Sequence, residues 1–233
     1  MKRMQSLFIL MALSLSSLGS SQAEMGGIQL KDYPRNSLLY QNLTLASSAL
    51  LEKIIVLPLG SFDELEAAGI IERVDHLPYF ILEKMVNENI KLKLFVGQLT
   101  ENPTVKDLTG VIPRGYTNNT TWDDVPGIGG SKTVLVKIGY SEKGKGHGSV
   151  NLELHELAHS IDKYVYEGIR FNQEFLSIWN KEKEALFPNQ DYFLNFPEEY
   201  FAEAFAMYYL GSHTRMILKE RASETYRFIQ KLN

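Results

Sequence analysis

The pentapeptide His155-Glu156-Leu157-Ala158-His159 constrains this chain more than any other feature. It has a use only on an α-helix, where residues four apart stack on one face and two imidazoles reach one tetrahedral ion. The Glu beside the first His then reaches the ion's solvent ligand rather than the ion. The surrounding VNLELHELAHSIDKYV supports the helix: Leu154, Ala158, Ile161 and Val165 form an apolar stripe, with His155, His159 and Asp162 beside it. The histidines therefore lie at the edge of a buried face, as a cleft wall requires. The competing reading is a pair of partly buried, hydrogen-bonded histidines, and the adjacent Glu and the apolar flank weigh against it.

A catalytic tetrahedral site takes a third protein ligand and keeps one position open. The longer three-histidine pattern fails, because Asp162 and Val165 stand where its Gly and His belong. Two alternatives remain. Asp162 lies two helical turns from His155. In PEEYFAEAF, Pro197 opens a helix on which Glu199 and Glu203 share a face that continues as Ala206 and Leu210. Carboxylates heading an apolar face need a partner, and an ion with its histidines would supply one, which makes this helix the better candidate. Glu198 reads as a solvated acid favoured by the helix dipole.

The chain has 233 residues and no cysteine, which excludes disulfides, thiol catalysis, iron–sulfur clusters and Cys-ligated zinc. Its 44% hydrophobic content suffices for a core without such staples. A net charge of −4 without a basic run argues against nucleic acid or anionic membranes as partners. MKRMQSLFILMALSLSSLGSSQA has a basic start, an apolar stretch around Leu7–Leu13 and small residues ending at Ala23. The stretch is shorter than the ~20 residues that span a bilayer. A secretory signal over 1–23 is expected, leaving a soluble extracellular domain over 24–233.

The pattern predicts helix over 36–52, a buried strand at Ile54–Leu57, and a capping box of Ser61 and Glu64 opening a helix through Val74. A helix at Tyr79–Asn87 and a strand at Lys91–Val96 follow, then a loop-rich stretch over 97–132. Thr133–Tyr140 is the strongest strand and is expected to form the cleft edge. Beyond a glycine-punctuated turn the chain reads as helical from Val150. The fold class is thus α+β. A mixed N-terminal lobe over about 24–149 carries a small twisted sheet, a helical lobe covers 150–233, and the cleft lies between them near 141–149.

HELAHSID together with PEEYFAEAFAMYY resembles the zinc peptidase domain of the anthrax lethal factor group, and within it the secreted Pro-Pro endopeptidases. TWDDVPGIGGS (121–131), GKGHGSVNLELHE (144–156) and NFPEEYFAEAFAMYYL (195–210) carry the likeness, which runs from about Lys53 to the end. The resemblance implies a zincin-like metallopeptidase fold with one zinc per chain, bound by His155, His159 and Glu199. It makes Glu156 the catalytic base, aims Tyr192 at the developing oxyanion, and lets Glu203 orient a histidine ligand. It places Gly129, Gly130, Ser131 and Lys132 in a substrate-contacting loop. Arg114-Gly115-Tyr116 falls where relatives carry Lys-Gly-Trp, so Tyr116 keeps an aromatic wall of another shape; His147 has no ligand role. The implied protein is a secreted monomer that cuts between two prolines of proline-rich proteins, with Tyr116, Trp122 and 127–130 as groove walls. Two other readings are a non-catalytic extracellular zinc-containing binding protein, which would have no reason to keep Glu156, and a lethal-factor-like endopeptidase without Pro-Pro preference.

Overall fold

A computed structural model describes residues 26–115 and 119–232. The expected signal segment and Tyr116 lie outside the described residues. The chain enters through β1 (Ile28–Gln29), α1 (Leu38–Gln41), α2 (Ser48–Ile54) and β2 (Ile55–Leu57). The stretch 36–52 is therefore two short helices rather than one. Asn42 ends α1, and the backbone of Ala46 and Ser47 donates to the Asp75 carboxylate instead of continuing a helical ladder.

α3 (Glu64–Asp75) begins two residues later than the proposed capping box allows. Asp63 is the cap, its carboxylate accepting from the Leu65 and Glu66 N–H groups at 3.0 Å each. Glu64 reaches outward to the Leu39 N–H and the Tyr33 hydroxyl. α4 (Tyr79–Asn87) and β3 (Lys91–Phe95) follow, then β4 (Gly127–Ile128) and β5 (Thr133–Lys137).

The sheet order is β1-β2-β3-β5-β4, with β2, β3 and β5 parallel and both outer strands antiparallel to their neighbours. Strand alternation sorts the two faces. Leu92, Leu94, Val134 and Val136 join the main core with the helices, whereas Phe95 and Leu135 meet Leu99 and Val125 in a smaller cluster on the opposite face. Leu99, Val105, Trp122 and Val125 of the loop-rich stretch thus cover that second face. β5 pairs on both sides and is interior, so the expectation that Thr133–Tyr140 forms the cleft edge is corrected. The edge is β4, a two-residue strand too short and glycine-rich to be legible as one.

The rest is helical, as expected: α5 (Leu152–Ser160), α6 (Gln173–Leu186), α7 (Asp191–Asn195), α8 (Pro197–Leu210), α9 (Ser212–Arg221) and α10 (Ser223–Gln230). Every residue of α8 from Glu199 to Tyr209 is buried. A helix enclosed on all sides is the centre of its layer, and α5 packs along it.

Candidate metal centre and catalytic cleft

Asn151 caps α5, its side chain accepting the Leu154 N–H at 3.0 Å. Leu154, Leu157, Ala158 and Ile161 then turn into the core. This rotation sends His155, Glu156 and His159 into a cleft of about 650 Å³ between β4 with the 113–125 segment on one side and α5, α7 and α8 on the other. The cleft faces both halves of the chain, as expected, but the 141–149 turn is not among the described residues that line it.

His155 Nε2, His159 Nε2 and Glu199 Oε2 form a triangle with each edge 3.3 Å. A tetrahedral ion with bonds of about 2.0–2.1 Å sets its ligands about 3.3–3.4 Å apart, so the three atoms match its coordination shell. Two imidazoles and one carboxylate suit zinc better than magnesium or calcium, which favour all-oxygen cages. The remaining atoms hold this arrangement. His155 Nδ1 lies 3.1 Å from Glu203 Oε2, which leaves Nε2 for the ion, while Glu203 Oε1 accepts the Val150 N–H at 2.9 Å. Glu199 Oε1 accepts from Arg114 Nη2 at 3.2 Å, leaving Oε2 free to turn toward the histidines.

The electrostatics suit a cation. Burial opposes a charged His155, yet the carboxylates of Glu199 and Glu203 outweigh it and lift the imidazole to about 10. Burial likewise opposes an ionised Glu199, but His155 and His159 hold its carboxyl well below the usual carboxylate range. Glu156 is pushed up, chiefly by burial and against the pull of both histidines. Burial and the charge of Glu199 push the Tyr192 hydroxyl far above its ordinary value, so it stays a donor.

Asp162, the alternative third ligand, is spent elsewhere: its carboxylate takes the Arg170 backbone N–H at 3.1 Å and the Arg170 Nε. The helix loosens there into a π-turn, Ile161–Val165. Tyr192 lines the cleft from α7, its ring against Gly115, where a Cβ would sit 3.0 Å from Cε2. Gly129 and Gly130 line the cleft, whereas Ser131 and Lys132 do not. The Lys132 ammonium is held by the Glu88 carboxylate at 2.7 Å. A Cβ on Gly129 would meet the Glu156 carbonyl oxygen at 2.1 Å, so only glycine lets the end of β4 lie this close to α5. Trp122 both packs on the small second cluster and lines the cleft. His147 turns inward, Nε2 lying 2.7 Å from the Tyr140 carbonyl.

Sequence reasoning missed Arg114 as a site residue. Its guanidinium lies 2.9 Å from Glu198, 3.2 Å from Glu199 and 4.0 Å from the centre of the Phe196 ring. Glu198 is accordingly paired and mostly buried rather than a solvated acid. The signal available was the adjacent Glu198-Glu199 pair, which demands a cation that its own helix does not carry.

The family model "Anthrax toxin lethal factor, N- and C-terminal domain" matches residues 42–232. A Pro-Pro endopeptidase of Paenibacillus alvei is 42% identical over 185 residues, covering 79% of this chain and 85% of the relative. The chain belongs to the Pro-Pro endopeptidase family. A Clostridioides difficile member is 44% identical over 183 residues, covering 78% of this chain and 82% of that one. The solved structure of the Pro-Pro endopeptidase from Paenibacillus alvei matches with a TM-score of 0.75 and covers 79% of this chain and all of that one. The fold is therefore the zincin-like α+β fold expected of a Pro-Pro endopeptidase. The family match takes in the whole cleft, from the 113–130 wall through α5 to α8, and begins upstream of Lys53.

Proposed function

We propose that this chain is a secreted, monomeric zinc endopeptidase that hydrolyses the bond between two prolines in proline-rich extracellular proteins. The observation that carries the metal reading is the 3.3 Å triangle of His155, His159 and Glu199 beside the buried Glu156. Relatives named Pro-Pro endopeptidase, at 42% and 44% identity, support the substrate.

When bound, zinc supplies Lewis acidity, polarising a carbonyl and acidifying water. Glu156 takes the proton of the attacking water and returns it to the departing proline nitrogen, which must be protonated to leave. The raised proton affinity of Glu156 suits both halves of this transfer. Tyr192 donates to the oxygen on which negative charge develops. Glu203 keeps the His155 ring from turning.

The peptide lies along β4, the sheet edge that borders the cleft. Proline after the cut offers no N–H, so strand pairing is partial. A stiff polyproline-like segment offsets that loss, because it surrenders little entropy on binding and packs on Trp122 and Tyr192. The signal over 1–23 supports export, and no helix of the described residues is long and apolar enough to cross a membrane.

The test combines metal analysis of the purified chain with sequencing of the products from a proline-rich peptide library. One zinc per chain and cuts between adjacent prolines are expected, with most of kcat/KM lost when either proline becomes Ala. Efficient cleavage of Ala-Ala-centred peptides would leave a general zinc endopeptidase and remove the Pro-Pro assignment.

A further inference from the structure

Phe171 is the most exposed large hydrophobic side chain among the described residues, at 75%. It is also held in place with unusual care. Asp162, 1% exposed, grips the Arg170 backbone and side chain, and its carbonyl accepts the Gly168 N–H at 2.8 Å. Gly168 sits at φ +102°, which a side chain would strain, and a Cβ there would meet Phe171 Cδ2 at 2.9 Å. The ring therefore lies directly over a bare glycine backbone. The Phe171 N–H returns to the Gly168 carbonyl at 3.0 Å, and Asn172 then caps α6 through the Phe175 N–H. A turn whose backbone is held in this way presents the ring at a defined place, so less order has to be imposed when something stacks on its free face.

Its location gives the ring a use. Glu167, Gly168 and Phe171 line the catalytic cleft and also a second groove that runs on toward Phe228 and Leu232. The two openings share these residues, so the ring stands at their junction. A peptide that leaves the cleft toward the second groove passes this ring. We propose that Phe171 is a substrate-contacting, specificity-determining residue whose ring stacks on a proline ring or other apolar side chain of the peptide, outside the two residues that flank the cut. This rests on the cleft being a peptidase site as proposed above. The occupant is the substrate itself, argued from the three residues that the groove shares with the cleft.

The experiment measures binding rather than turnover. In the zinc-loaded Glu156→Ala chain, affinities are determined by fluorescence polarisation for a Pro-Pro-centred peptide with proline-rich extensions on both sides and for the same peptide trimmed close to its core. The ring contact predicts that the long peptide binds about 3–10-fold tighter, the range for one aromatic stack. Adding Phe171→Ala should collapse that ratio toward one, and Phe171→Trp should restore it. Extending one end at a time identifies the side that crosses the ring, and Asp in place of the apolar residue there should lower the ratio as Phe171→Ala does. The proposal is overturned if long and short peptides bind equally, if neither binds, or if Phe171→Ala weakens both alike. Whether the unsubstituted chain cuts between prolines is read separately by mass spectrometry, so failure of the activity and failure of the ring contact are told apart.

Discussion

Behind His155, Glu156 and His159, α5 and α8 form an enclosed layer: Glu199 and Glu203 are buried, and their oxygens meet His155, His159, Val150 or Arg114. In front, the cleft is bounded by β4, by Pro113, Arg114, Trp122 and Val125, and by the 167–171 turn, where left-handed glycines, exposed rings and ion pairs replace packed helix faces. The rear wall has few ways to move, because each shift would strand a buried polar group. The front wall presents exposed side chains that can be exchanged at little cost to the core, even where its backbone is pinned. Chemistry placed on rigid helices and recognition placed on loops is the division expected of a site whose reaction is fixed while its peptides vary.

The strongest way to break this division is to remove the proposed base from the rear wall. Glu156→Ala should keep its zinc and fold yet lose activity by about 10²–10⁴-fold. Equal zinc content and circular dichroism beside a near-normal rate would take Glu156 out of the reaction. Tyr192→Phe comes next, with kcat lower by roughly 10²–10³-fold and KM little changed, since its hydrogen bond matters when charge develops. A change confined to KM would make Tyr192 part of the recognition wall instead. Glu203→Ala should weaken zinc affinity by about 10–100-fold in a chelator competition, because the His155 ring loses the group that holds its Nδ1.

The smallest effect belongs to the front. Thr100 chiefly, with the Gly110 N–H and Thr121, holds the Asp123 carboxyl down to about 2. A group depressed in the folded state stabilises above its unfolded value and loses that contribution as pH falls through the folded one. The Asp123→Asn variant should therefore melt slightly below the parent near neutral pH, and the gap should close between about pH 4 and pH 2. A gap that persists at pH 2 would assign the loss to packing. Zinc content should not differ between the two at neutral pH, which is what separates this loop from the rear wall.

The two walls also differed in how legible they were. The rear could be read because helix periodicity ties spacing to direction: His155 with His159 and Glu199 with Glu203 fall four apart, and each pair faces one way. Periodicity says nothing of which helices meet, so the sequence alone leaves Asp162 open as a ligand, and the contact with Arg170 is what occupies it. On the front wall the same reasoning failed more often. β4 has two residues and no alternation, so the sequence points instead to the stronger strand pattern of Thr133–Tyr140 as the cleft edge. Arg114 and Phe171 gain their positions from long-range contacts and a glycine turn, neither of which leaves a local pattern. The capping box failed for a simpler reason: Asp63 is the cap, and Glu64 serves Tyr33 and Leu39 instead.

The central claim is that the rear wall builds a metal site from α5 and α8 and that the 162–171 turn takes no part in it. Zinc content of Glu199→Ala and Asp162→Ala, purified side by side and assayed by mass spectrometry, tests this most directly. Glu199→Ala should fall far below one zinc per chain while Asp162→Ala stays near one. Loss of zinc from Asp162→Ala with retention in Glu199→Ala would contradict the assignment of the third ligand and the division built on it.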